Sequence, residues 1–205
     1  MKKLMVLFLL AFCGQIAFAQ LSATTIYNNT VKSTVTIETD IGLGSGFFVA
    51  PNIIATNYHV VAGATVGQCK TNDSDKKYKI EGYVAVDKSV DLILLKVAEL
   101  NRPAIKLAAS PKVEIGQKVY AIGSPKGLDA TISDGIVSGL RDFEGHKLLQ
   151  ITAAISPGSS GGPVLNNNGE LIGIAVAQVA EGQNLNFAIP KSYLELLLSF
   201  KKQYA

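Results

Sequence analysis

Between residues 31 and 189 the sequence is cut into short runs of β-branched, aliphatic and aromatic residues, separated by Gly, Asn, Asp and Pro. This rhythm limits the fold more than any other feature. Such runs suit half-buried extended chain, and the residues between them supply the backbone freedom that turns need. Residues 31–39, 46–50, 53–56, 78–87, 91–97 and 105–107 form a first set. Residues 118–123, 130–139, 148–152, 163–165, 171–178 and 185–189 form a second, with Pro103 and Pro111 flanking the junction. The pattern predicts an all-β barrel or sandwich. Asn166-Asn167-Asn168-Gly169 between two apolar runs predicts a hairpin, because Asn and Gly accept the positive φ of such turns. Two segments depart from the rhythm. Residues 22–30 read as a short N-terminal helix. After Pro190, Leu194, Leu197 and Leu198 recur at helical spacing, with Lys191, Glu195, Lys201 and Lys202 on the other side. This predicts an amphipathic C-terminal helix over about 191–202.

Lys2 and Lys3, the apolar run that follows them and the small-x-small site Ala17-Phe18-Ala19 read as a secretory signal peptide cut after Ala19. The run is broken by Gly14 and Gln15 and falls short of the roughly 20 apolar residues of a spanning helix. A secreted or periplasmic chain with no membrane span after cleavage is therefore expected. Bulky Phe12 before Cys13 argues against lipid attachment there. Residues 20–205 suit one domain with a sizeable core. The 19 basic residues include Lys2 and Lys3 and stand against 16 acidic ones, so nothing calls for nucleic acid or an anionic membrane as partner. Of the two cysteines only Cys69 follows the leader, which excludes an intramolecular disulfide. No second thiol or metal-ligand pattern surrounds it, so it reads as structural, and no cofactor or metal is expected.

Three segments carry chemistry. In Ser156-Pro157-Gly158-Ser159-Ser160-Gly161-Gly162-Pro163, glycines flank a serine pair. A nucleophilic serine needs a tight turn that exposes its Oγ and aims backbone N–H groups at a developing oxyanion; an ordinary Gly/Ser loop would have the same composition. His59 ends a β-like run, and a histidine titrates near neutrality, as a base for serine should. The chain's other histidine, His146, reads as a solvated loop residue in the charged stretch 142–147. Asp91 heads the apolar run Leu92-Ile93-Leu94-Leu95, where a carboxylate would be costly to bury without a partner. A histidine partner would resolve that cost and orient the imidazole. Asp87, in a more polar context, is the rival, and a plain turn aspartate is the alternative. The chain order His, Asp, Ser is that of chymotrypsin.

At these residues the sequence resembles the HtrA/Deg branch of chymotrypsin-like serine proteases. The matching blocks are Gly44-Ser45-Gly46-Phe47-Phe48-Val49, 55–61, 91–97, 121–124, 131–138, 152–165, 169–174 and Phe187-Ala188-Ile189-Pro190. The resemblance implies a chymotrypsin-like double β-barrel, with an N-terminal barrel over about 31–108, a C-terminal one over about 112–189 and the active site between them. It implies Ser160 as nucleophile, His59 as general base and then acid, Asp91 as orienting carboxylate, and the N–H groups of Gly158 and Ser160 as oxyanion hole. It also implies a specificity pocket lined by Ala154, Ile155, Ala175, Val176 and Ala177. None of these is acidic, which favours a small or medium aliphatic side chain before the cut. The 175–177 strand would pair with extended substrate backbone.

Two departures stand out. Family members usually carry PDZ domains after the segment matching Phe187–Pro190, whereas this chain ends at Ala205, so PDZ-dependent binding is not expected. Ser159 replaces the family's usual asparagine; counting back from Gly161-Gly162-Pro163 selects Ser160 over Ser159 as nucleophile. Relatives form trimers through N-terminal segments, for which Ile26 and Tyr27 are the residues at hand here. The expected function is endoproteolysis of unfolded or damaged extracytoplasmic polypeptides. The alternatives are a non-catalytic protease-fold binder or chaperone, and a processing protease with one narrow substrate.

Overall fold

A computed structural model of the chain describes residues 20–97, 99–109, 112–124, 130–176 and 185–203. The leader at residues 1–19, Pro111 and Ala177 lie outside them. Helix α1 (Ala23–Thr30) starts where Ser22 caps it, its Oγ accepting the Thr25 N–H at 3.1 Å. Ile26 is fully buried, and the Tyr27 hydroxyl donates to the Ala130 carbonyl at 3.0 Å. Both residues thus serve the packing of their own chain, and Ile26 offers no exposed contact to a trimer.

The first sheet holds β1 (Thr34–Thr39), β2 (Leu43–Ala50), β3 (Ile53–Asn57), β4 (Gly67–Thr71), β5 (Lys77–Lys79), β6 (Gly82–Asp87) and β7 (Leu92–Lys96) in the order β5-β4-β1-β2-β3-β7-β6. Its ladder does not close on itself. The Ile80 N–H donates to Gly67 on the β4 side and the Glu81 N–H to Lys96 on the β7 side, at 3.0 and 2.9 Å. The chain therefore steps from one edge of the sheet to the other across a single peptide unit, and this breaks the run expected over 78–87 into two strands. A 3-10 turn at Val31–Ser33 delays β1 to Thr34. Strand β4 escaped the sequence reading because Gly-Gln-Cys-Lys-Thr carries little apolar signal: only Cys69 and Thr71 of it are buried. The segment expected as a strand over 105–107 makes one isolated bridge, Leu107 to Leu171, as the chain crosses to the second unit.

That unit is a closed barrel of β8 (Lys118–Gly123), β9 (Thr131–Phe143), β10 (His146–Ile151), β11 (Pro163–Leu165), β12 (Leu171–Val176) and β13 (Asn186–Pro190), in the order β10-β13-β12-β11-β8-β9. Glu144 and Gly145, both at positive φ, turn the β9–β10 hairpin. His146 therefore begins a strand and sets its ring edge-on to Tyr193, with centroids 6.2 Å apart; it is not a loop residue. The Asn166–Gly169 hairpin forms as expected: the Asn166 side-chain oxygen accepts from the N–H groups of Asn168 and Glu170, and Gly169 has φ +72°.

The unbroken apolar run of β7 follows from its burial on both faces. Ile93 and Leu95 fill the first unit with Ile37, Phe48 and Ile54, while Leu92 and Leu94 join Phe47 and Ala55 in a seam shared with Ile122 and Ile174 of the second. Helix α2 (Lys191–Gln203) lays Leu194 and Leu197 on that seam. Lys191 was expected on the polar face but is only 5% exposed, its ammonium held by Glu195 at 2.5 Å.

Cys69 lies in the core of the first unit, and burial pushes its thiol up to about 12. The raised value favours the neutral thiol in the fold. This contribution to stability is therefore full below the unfolded thiol's value and is lost as pH rises toward 12. Iodoacetamide at pH 8 should leave Cys69 of the folded protein unmodified and alkylate it within minutes in denaturant. Rapid alkylation of the folded protein would contradict this burial.

Candidate active site

Strands β3 and β7 pair with Asn57 opposite Leu92, so the residues just beyond the ladder, Tyr58 and Asp91, meet across it. The Tyr58 N–H donates to the Asp91 carbonyl at 3.1 Å, and the buried Asn57 amide adds a second bond to that carbonyl at 3.1 Å. His59 follows on a 3-10 turn, Tyr58–Val60. Asp91 Oδ2 lies 2.6 Å from His59 Nδ1, and Oδ1 accepts the His59 backbone N–H at 2.8 Å. The carboxylate thus holds both the ring and the backbone of the histidine. Asp91 reaches this pose at φ +55°, a left-handed conformation that aspartate tolerates. Its side chain is 31% exposed, so it is not the deeply buried charge that the apolar run suggested. The rival Asp87 turns its carboxylate to the Ser89 N–H and hydroxyl, at 3.0 and 2.6 Å.

The serine segment is seated between the two units. On one side the Gly161 N–H donates to the Ala175 carbonyl and the Ala175 N–H to the Gly162 carbonyl, at 2.9 and 2.8 Å. On the other, the Ser45 N–H donates to the Ser160 carbonyl at 2.8 Å. A Cβ on Gly161 would lie 2.2 Å from Thr56 Oγ1, 2.3 Å from the Ser45 carbonyl and 3.1 Å from the Asn57 nitrogen. The turn after Ser160 therefore rests on the end of β3, directly before the turn that carries His59. Ser160 is 4% exposed. Ser159 instead packs its Cα and Cβ on Gly123 of β8. Gly158 has φ +94°, and its carbonyl accepts from the Ser45 hydroxyl at 2.7 Å.

A family model for the trypsin-like peptidase domain matches residues 44–174, a span that includes His59, Asp91 and Ser160. The chain belongs to the trypsin-like peptidase family. It is 38% identical over 159 residues to "Putative serine protease HhoB" of Synechocystis sp., covering 73% of this chain and 38% of that protein. It is 38% identical over 175 residues to "Periplasmic serine endoprotease DegP" of Salmonella typhimurium, covering 80% of this chain and 36% of that one. The chain thus spans about a third of the length of the curated relatives it matches. Among solved structures, the serine endoprotease from Yersinia pestis superposes with a TM-score of 0.79 at 27% identity, covering 89% of this chain and 67% of that one.

In this trypsin-like peptidase domain the residues expected to line a specificity pocket part company. Ala154 and Ala175 line a cavity of about 100 Å³ with Ser133 and Ser159 and with no acidic residue. The Ser133 hydroxyl fixes the Ala154 carbonyl at 2.7 Å. Ile155 packs in the core of the second barrel beside Ala175. Val176 lines a different, larger cavity of about 460 Å³ that reaches Asp91, Phe187 and Tyr193. Ala177 is outside the described residues. Ala175 already uses its N–H and carbonyl on the serine segment, so it does not pair with an incoming strand. Sequence reasoning assigned no role to Asn57, which supports Asp91, or to Thr56 and Ser45, which seat Gly161. Their one local signal is polarity: all three are buried polar residues on strands of the core.

Proposed function

We propose that this chain is a serine endopeptidase acting outside the cytoplasm on unfolded or damaged polypeptides, through His59, Asp91 and Ser160. The observation that carries the reading is the double hold of Asp91 on His59 beside a serine turn seated on the same strand end. His59 takes the Ser160 proton, and Ser160 Oγ attacks the scissile carbonyl carbon. The N–H groups of Gly158 and Ser160 receive the oxyanion. His59 then protonates the leaving amine, and water, activated by the same base, hydrolyses the acyl-enzyme. The small non-acidic cavity at Ala154 and Ala175 suits a short aliphatic side chain before the cut. The extracytoplasmic site of action rests on the leader-like residues 1–19 and on the similarity to the periplasmic endoprotease DegP.

Active-site labelling with a fluorophosphonate tests the assignment. The protein and its Ser159→Ala variant should both be labelled and cleave casein, whereas Ser160→Ala should lose both activities and keep its circular dichroism spectrum. Label retained in Ser160→Ala, or lost only in Ser159→Ala, would move the nucleophile elsewhere. No label on the unmodified protein would favour a non-catalytic binder.

A further inference from the structure

We propose that Ser45 is a positioning residue that locks the oxyanion loop. The inference rests on the reading of Ser160 as nucleophile and of Gly158 and Ser160 as oxyanion donors. Ser45 is 2% exposed and binds the backbone of both residues at once. Its N–H donates to the Ser160 carbonyl at 2.8 Å, and its hydroxyl donates to the Gly158 carbonyl at 2.7 Å. The Ser160 N–H lies between those two carbonyls and is held from both sides, while the peptide of the Gly158 N–H, one step before, is steadied from its carbonyl side alone. Gly158 needs such a hold, because glycine at φ +94° has no side chain to restrict rotation of its peptides.

The hydroxyl is itself held. It accepts the Ser124 N–H at 2.9 Å, and the Ser124 hydroxyl accepts from Thr36 Oγ1 at 2.7 Å. Thr36 and Ser124 are 4% and 1% exposed. A buried path thus runs from Thr36 of β1, through Ser124 just past β8, to Ser45 and on to the loop. Because the Ser45 oxygen accepts from the Ser124 N–H, its own proton is left to point at the Gly158 carbonyl. Thr56 Oγ1 closes the fourth side by donating to the Ser45 carbonyl at 2.7 Å. The flanking glycines admit these neighbours: a Cβ on Gly44 would lie 2.5 Å from Val60, next to His59, and one on Gly46 would lie 2.7 Å from Ile54. One residue of β2 therefore sets the loop that receives the oxyanion, while its neighbour sits against the turn that carries the base.

Ser45→Ala is the test, with kcat and KM for a peptide substrate and the fluorophosphonate labelling rate measured well below the melting temperature. Loss of one oxyanion donor costs about 10²–10³ in rate, and a loosened donor costs less. The variant should lose about 10- to 100-fold in kcat and in labelling rate, with KM changed less than about 2-fold. A purely structural role would lower the melting temperature and leave kcat untouched. If Ser45→Ala does not fold, Ser45→Cys fills the site with a somewhat larger group that is only a weak donor, and the same fall in kcat at constant KM is expected. Wild-type kcat in a folded variant would overturn the clamp. Absence of labelling in the unmodified protein would instead overturn the nucleophile assignment on which it rests.

Discussion

Asp91→Asn is expected to lower kcat by about 10⁴-fold while the protein still folds and binds substrate. The geometry explains why so small a change should do so much. Asp91 offers two acceptor oxygens, one to the His59 ring at 2.6 Å and one to the His59 backbone N–H at 2.8 Å. An asparagine has one acceptor and one donor for those two places. If its oxygen keeps the backbone N–H, its amide faces Nδ1 and forces the proton onto Nε2, where the base must be free to accept from serine. If the amide flips, two donors collide at the backbone. Either way the imidazolium formed during proton transfer loses its counter-charge. The backbone should be indifferent, since asparagine tolerates φ +55° as aspartate does. The decisive comparison is Asp87→Asn: its carboxylate only ties down Ser89, so activity should stay within about 2-fold. Equal losses in the two variants would remove Asp91 from its role.

Gly161→Ala should be strongly damaging for a single added methyl group. Two costs combine there. The position has φ +84°, where an L side chain costs about 1–2 kcal/mol. The added Cβ would also sit 2.2 and 2.3 Å from Thr56 Oγ1 and the Ser45 carbonyl, both fixed by hydrogen bonds, and overpacking of this kind costs about 1–3 kcal/mol or more. Gly63 is a natural control. It has the same φ of +84° with nothing within 4 Å of its would-be Cβ, so Gly63→Ala carries the backbone cost alone. At about 2–4 °C per kcal/mol for a chain of this size, Gly63→Ala should melt about 5 °C lower and Gly161→Ala about 10–15 °C lower. Relief of the clash moves the serine turn off the end of β3, and a displacement of about 1 Å costs on the order of 10²-fold in rate. Gly161→Ala should therefore lose at least that much activity, and Gly63→Ala almost none. Similar melting temperatures for the two would mean that the turn does not rest on Thr56 and Ser45.

Much of the site was legible because its chemistry is written in residue types. The Gly-rich turn, a histidine at a strand end and an acid at the head of an apolar run each have local signatures, and so do the Asn166–Gly169 hairpin and the C-terminal helix. Asp91 was expected as a buried charge, whereas it lies partly exposed in a turn, and the β3–β7 register brings it to His59. His146 and Lys191 misled for a related reason. Their polar neighbours suggested solvent, but a two-residue turn at positive φ and a helix start against the seam put them on packed surfaces.

By itself the sequence determined what depends on a few neighbouring residues: extended runs, turn positions, helix ends and the presence of a serine in a Gly-rich turn, a histidine and an aspartate. Backbone preference and side-chain chemistry act over that range, so they can be read in one dimension. Only the tertiary structure decided which carboxylate meets His59, that Ser159 packs on Gly123, that Ala154 and Ala175 share a pocket while Ile155 and Val176 leave it, and that Ser45 binds the carbonyls of Gly158 and Ser160. Each of these is a contact between segments far apart in the chain. Strand register and the seating of one barrel on the other select them, through buried polar groups that must find partners once water is excluded.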